Sequence, residues 1–219
     1  MAHASSSNYR IDEYFLGPGG SEDLSSTSYS ARASVGDTGV GNTSSSNYQL
    51  YGGYTTTTEP FLEFGVDTTS IDFGVLTTSS ASTGTSTFYI RSYLSGGYIV
   101  TTESDTPGNS GHNLDNLTSQ TASSPGTEQF GINLVANTSP SSFGEDPEQV
   151  PDSSFSFGQA ATGYDTADVY KYVKGDTVAY SDTSSGRTNF TISYLANISE
   201  LTPGGIYTMN HVLVAVPTY

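Results

Sequence analysis

The chain has 219 residues and carries 6 Lys+Arg against 22 Asp+Glu, a net charge of −16. That length holds one large β domain or two small ones. A field of this sign repels phosphate backbones and anionic lipid, which excludes nucleic acid as a partner and disfavours a charged membrane surface. Cysteine and tryptophan are absent, 3 His remain, and Tyr (16) and Phe (10) are plentiful. Disulfides, thiol catalysis and Cys-based metal centres are therefore out of reach. Abundant Ser, Thr, Gly and Tyr with few strong helix formers predict strands and turns.

The chain opens Met1-Ala2-His3-Ala4-Ser5. Ala-x-Ala is the small-residue pattern before a signal-peptidase cut. This predicts an exported protein, extracellular or at the cell surface, whose signal peptide has been removed behind an added start methionine. The longest aliphatic run, Val212-Leu213-Val214-Ala215-Val216, is far short of the roughly 20 residues of a membrane helix. No direct membrane insertion is expected.

A repeat marks residues 1–59. Ser5-Ser6-Ser7-Asn8-Tyr9-Arg10-Ile11 returns as Ser44-Ser45-Ser46-Asn47-Tyr48-Gln49-Leu50, with a weaker copy at Ser25-Ser26-Thr27-Ser28-Tyr29 between them. Each copy runs from a serine cluster into a tyrosine-led segment, and a meander of three strands is predicted. Thr55-Thr56-Thr57-Thr58-Glu59-Pro60 reads as an extended junction closed by proline, so a second domain is expected over residues 60–219.

In that domain, Phe61-Leu62-Glu63-Phe64-Gly65-Val66 and Ile71-Asp72-Phe73-Gly74-Val75 read as short strands. Residues 86–94 and 98–100 flank Ser95-Gly96-Gly97, a hairpin signal. Residues 104–126 and 137–152 are polar loop regions on either side of the alternating strand Phe130-Gly131-Ile132-Asn133-Leu134-Val135. Residues 169–173 and 177–180 around Lys174-Gly175-Asp176 suggest another hairpin. A short helix is the reading for residues 160–168. Residues 189–195 and, in part, 206–216 alternate as strands. About a dozen short strands at this spacing predict an all-β fold, an antiparallel β-sandwich or jelly roll.

Ser6-Ser7-Asn8-Tyr9-Arg10-Ile11-Asp12-Glu13-Tyr14-Phe15, Asp37-Thr38-Gly39-Val40-Gly41, Glu128-Gln129-Phe130-Gly131-Ile132-Asn133-Leu134 and Tyr170-Lys171-Tyr172-Val173-Lys174-Gly175-Asp176 look like uncharacterised exported surface proteins of ultra-small, reduced-genome bacteria. That family carries no established chemistry. Pro203-Gly204-Gly205-Ile206-Tyr207-Thr208 more loosely resembles the closing turn of WxL-type and TasA-like β-sandwich surface proteins. The chain has no Trp, so the WxL motif and its peptidoglycan binding do not carry over, and the likeness implies architecture alone.

Few residues suggest chemistry. Gly108-Asn109-Ser110-Gly111 superficially resembles the serine-protease Gly-Asp-Ser-Gly, but His112 lies too close in sequence to serve as its base. No catalytic residue is assigned, and the chain is expected not to be an enzyme. Asp105, Asn109, Asn113 and Asp115, with Asn116 beside them, gather hard oxygen atoms in one loop and are the candidate calcium ligands. Glu145, Asp146 and Glu148 form a second acidic cluster. An intramolecular isopeptide bond would have to draw on Lys171 or Lys174. The candidate assembly strand comprises Asn8, Tyr9, Ile11, Tyr14 and Phe15, tethered by a serine-rich leader and a Gly-Pro-Gly-Gly hinge. Such a segment is suited to completing a neighbour's open sheet. The expected function is a secreted structural or adhesive surface protein, a filament subunit that associates with itself or another surface protein. The alternative is a carbohydrate-binding module that binds a glycan with calcium.

Overall fold

The computed structural model describes residues 61–67, 70–93, 95–150 and 158–219 in full, and the backbone of six short strands within the first 60 residues. The chain divides into two compact units, Met1–Glu59 and Pro60–Tyr219. Among the described residues no helix is long and apolar enough to cross a membrane.

The first unit holds β1 (Ala4–Ser5), β2 (Arg10–Ile11), β3 (Gly20–Ser25), β4 (Ser30–Ser34), β5 (Gly41–Ser44) and β6 (Gln49–Gly52). They pair antiparallel as β1–β2, β3–β4 and β5–β6. The expected three-strand meander is thus replaced by three separate hairpins among the described residues. Residues 6–9, 26–29 and 45–48 connect the pairs and read Ser-Ser-Asn-Tyr, Ser-Thr-Ser-Tyr and Ser-Ser-Asn-Tyr. In sequence, the repeat falls between the two strands of each pair. The strands lie on both sides of it.

The second unit contains β7 (Phe61–Val66), β8 (Ser82–Tyr93), β9 (Gly97–Thr102), β10 (Gly108–Asn109), β11 (His112–Asn113), β12 (Thr121–Ala122), β13 (Gln129–Asn133), β14 (Glu148–Val150), β15 (Gln159–Ala160), β16 (Val169–Tyr170), β17 (Thr177–Ser181), β18 (Ser185–Asn197) and β19 (Leu213–Thr218). One sheet runs β13-β18-β8-β7, with β14 also paired to β18, and the other runs β15-β17-β9-β19. All these pairings are antiparallel. The fold is all-β, as composition predicted.

Period-two alternation explains the core. On β8, Ser86, Phe88, Ile90 and Ser92 are buried and their neighbours are not, as expected when a strand covers a core with one face. Phe88 lies directly opposite Phe190 of β18, with the two rings stacked at 5.0 Å. They join Tyr98, Val100 and Val178 of the second sheet in one buried cluster. A fully buried Phe contributes about 1.5–3 kcal/mol. The C-terminal half of β18 is buried on both faces. Its second face packs under the excursion after β13, where Gly144 abuts Ser193. Asn133 and Asn137 exchange side-chain amide bonds of 2.7 and 2.9 Å there. The polar stretches therefore cover a sheet with satisfied hydrogen bonds, as buried amides require.

Four local expectations are corrected. Residues 86–100 form no hairpin, because β8 pairs with β7 and β18 while β9 pairs with β17 and β19. The turn carries the chain from one sheet to the other at Gly97, whose φ of +133° no L side chain adopts readily and whose place a Cβ would fill 1.9 Å from the Ser181 carbonyl. Residues 169–180 do turn, with the Asp176 amide donating to the Val173 carbonyl at 3.1 Å, yet β16 pairs with β12 and β17 with β9 and β15. Residues 71–75 are extended but join no sheet. The Asp72 carboxylate takes the Gly74 amide at 2.8 Å, a local bond that competes with a ladder. Residues 160–168 are not helical. The Asp165 side chain takes the Gly163 amide at 3.2 Å, and short polar residues favour such turns over helix.

Candidate functional site: an apolar groove beside a buried histidine

Two extended segments, residues 70–76 and 203–212, border a concavity of about 1160 Å³. Its floor is the inner face of the β7–β8–β18 sheet, with Phe64, Phe88, Ile192 and Tyr194, and with Phe130 from β13. The first arm alternates: Ile71 and Phe73 are half-buried and Asp72 and Gly74 exposed. It seats where β8 carries glycine, since a Cβ on Gly84 would lie 2.5 Å from Ile71 Cγ2. The Phe73 ring then meets Tyr194 edge-on at 6.5 Å. The second arm alternates as well, with Tyr207, Met209 and His211 half-buried and Thr208, Asn210 and Val212 exposed. Its outer edge is fixed by reciprocal 3.0 Å bonds between Thr208 and Gly108 and by the Ser104 hydroxyl, which donates to the Asn210 carbonyl at 2.6 Å.

The two arms differ in their backbones. Among the described residues, no backbone hydrogen bond joins residues 70–76 to a neighbouring strand. At the rim stand Val75, 90% exposed, and Ile206, 84% exposed.

Beneath the groove a relay of buried hydroxyls and one imidazole is occupied by its own members. The Tyr172 hydroxyl donates to the Ser104 carbonyl at 2.9 Å and accepts from Thr102 Oγ1 at 3.1 Å. Thr102 Oγ1 therefore accepts the His211 Nε2 proton at 2.8 Å. That fixes the tautomer, so His211 Nδ1 accepts from the Tyr194 hydroxyl at 2.6 Å, which in turn accepts from Ser86 Oγ at 3.1 Å. A terminal carbonyl thus sets the direction of five hydrogen bonds. Burial lowers the His211 pKa to about 4, and burial raises the Tyr194 and Tyr172 hydroxyls above their ordinary range. At neutral pH this relay is uncharged, and each of its donors is engaged within it.

The other candidates are placed as follows. His112 of β11 holds Glu128 through a 2.8 Å Nε2–Oε1 contact. Burial raises the Glu128 carboxyl, but hydrogen bonds from Thr202, His112 and the Asp115 amide outweigh it and leave the pKa lowered. Ser110 is exposed at the β10–β11 tip, and among the described residues it makes no hydrogen bond to His112. The four candidate calcium ligands serve different tasks. Asp105 pairs with Lys174 at 3.0 Å, the Asn109 side chain lies against Gly205 and that of Asn113 against Gly108. Asp115 works through its backbone, its carbonyl accepting from the Phe130 amide at 2.7 Å. Among the described residues no group of three or more His, Asp or Glu is arranged to hold a metal ion. Of the acids after β13, Asp146 accepts from the Ala136 amide at 3.1 Å and Glu148 from Asn189 at 2.7 Å. Lys171, the other isopeptide candidate, pairs with Asp176 at 2.6 Å and sits over the Tyr164 ring. Of the candidate assembly strand, Asn8, Tyr9, Tyr14 and Phe15 lie outside the described residues, and Ile11 is described only as the backbone partner of Ala4.

Sequence reasoning missed His211, Tyr194, Thr102 and Glu128. The one local signal for His211 was its place on the apolar face of an alternating stretch. No family model, curated protein or solved structure matches this chain.

Proposed function

We propose that this chain is a secreted structural or adhesive surface protein, a subunit that associates with copies of itself by β-strand addition. One observation carries the reading: an apolar groove with exposed aliphatic residues at its rim lies beside β7, the end strand of its sheet. Such an edge offers main-chain groups for pairing, and such a groove offers places for alternate side chains. In this reading the two main sheets form a β-sandwich, a rigid body that presents the groove.

Deletion of residues 5–20 tests the proposal. The deleted chain should retain its strand circular-dichroism signal and lose every species above the monomer in light scattering. Polymers unchanged by the deletion would refute it.

A further inference from the structure

We infer that the second arm, residues 203–212, is an acid-released wall of the groove: a proton on His211 lifts the arm from the floor while its Thr202 end stays held. As a control on self-association this motion rests on the reading above; as a motion it is measured on the chain alone.

Two imidazoles hold the arm, and they face opposite chemistry. At the Thr202 end the Glu128 carboxylate accepts from the Thr202 hydroxyl, from His112 Nε2 at 2.8 Å and from the Asp115 amide at 3.1 Å. A proton on His112 makes that contact an ion pair, so acid keeps this end in place. The same ring meets Tyr207 of the arm edge-on at 6.1 Å. At the other end His211 lies between two hydroxyls, Thr102 on Nε2 and Tyr194 on Nδ1. A proton there turns Nδ1 into a donor facing a donor. The Tyr194 and Ser86 hydroxyls can turn round and remake the bond, but no anion answers the charge.

The acids on the elements around His211 are bound elsewhere. Glu103 accepts from Thr101 Oγ1, Asp105 pairs with Lys174, Asp176 takes Lys171 and Tyr164, and Asp72 takes the Gly74 amide. β18 and β8 bring only the hydroxyls of Tyr194 and Ser86 to this relay. The chain after β16 brings Tyr172, whose ring centroid lies 6.0 Å from that of His211.

The backbone confines the response to the arm. Among the described residues, its backbone bonds to the rest of the unit short of Val212 are the reciprocal pair between Thr208 and Gly108. The Ser104 hydroxyl adds two more, donating to the Asn210 carbonyl and accepting from the Val212 amide, each at 2.6 Å. Pro203, Gly204 and Gly205, all exposed, follow the held end, and glycine there supplies the freedom of a hinge. Beyond the arm, Leu213 begins the ladder with β9. Local opening is drawn from segments with few such bonds, so an unanswered charge on His211 lifts the arm before it opens the sheets.

Hydrogen exchange on the full-length chain, corrected for intrinsic rates, reads this motion at the Thr208 and Val212 amides, which are bonded in the closed arm. With the His211 pKa at about 4 when closed and near 6.5 when open, their opening constant should rise roughly 70-fold between about pH 7.5 and 4.5. The rise should be absent in His211→Gln, and the Phe88 and Phe190 amides should stay better protected at both pH values. An equal rise in the variant, or arm and core amides opening together, would overturn the inference. If the variant fails to fold by circular dichroism, the wild-type chain decides. Its opening constant should level off where the His211 ring titrates by NMR, and a rise unconnected with that midpoint would overturn the inference. Light scattering on the same samples separates the motion from its use. Wild type should associate more weakly than His211→Gln at the lower pH and equally at the higher. Equal association at both would overturn the control on assembly. A chain that is monomeric at both, with the opening intact, would overturn the self-association reading alone.

Discussion

The two units of this chain are written in the same Ser-, Thr-, Gly- and Tyr-rich vocabulary and solve the strand problem in opposite ways. In Met1–Glu59 every described strand pairs with its sequence neighbour across four residues. In Pro60–Tyr219 the longest ladder joins β8 to β18, pairing Ser82 with Ala196 and Ser92 with Ser185. Local pairs form fast and bury little, while non-local pairs form slowly and can enclose a core. The second unit buries Phe88, Ile90, Phe190 and Ile192 in one cluster with residues of its other sheet, Tyr98, Val100 and Val178. That contrast suits a subunit with a rigid body and an exchangeable strand, because elements that change partners come from the low-stability end of a structure.

The largest test of the comparison removes part of the second unit's core. Phe190→Ala deletes a fully buried ring stacked on Phe88 and should cost about 3–5 kcal/mol in urea unfolding. Hydrogen exchange in β3–β6 should be unchanged in the same variant. Acid gives a smaller effect. His211 has its pKa lowered to about 4 in the folded state, against an unfolded value near 6.5. The unfolded chain thus binds the extra proton between those values. Stability is complete above about pH 6.5 and falls as pH drops toward 4, by roughly 2–4 kcal/mol in all. His211→Gln should remove most of that slope, and an unchanged slope would assign it to other groups. Tyr194→Phe leaves Ser86 and His211 Nδ1 without their partner and should cost about 1–2 kcal/mol. Smallest is Glu63→Gln, which breaks the half-exposed pair with Arg91. It should change stability by no more than about 1 kcal/mol, and the difference should vanish in high salt.

How much of this was legible in the sequence depended on range. β7, β13 and the body of β18 were visible because alternation is a local property. The partners were not. Ser95-Gly96-Gly97 announces a change of direction, and nothing in those residues tells whether the next strand returns to the same sheet or crosses to the other. The serine repeat was plain, and each copy is followed directly by a strand, at Arg10, Ser30 and Gln49, but the strand before it, its pairing partner, was not legible. The groove was hidden for the same reason as the partners. Residues 71–75 and 206–212 alternate as strands do, and only the assembled fold shows which extended segment lacks a ladder. His211, Thr102 and Ser86 lie far apart in sequence, and the hydroxyl chain exists only once β8, β9 and β18 are packed.

Negative-stain electron microscopy of the purified full-length chain, with light scattering on the same sample, tests self-assembly most directly. The account predicts regular filaments whose mass grows with concentration. Uniform particles of monomer mass at every concentration would contradict it.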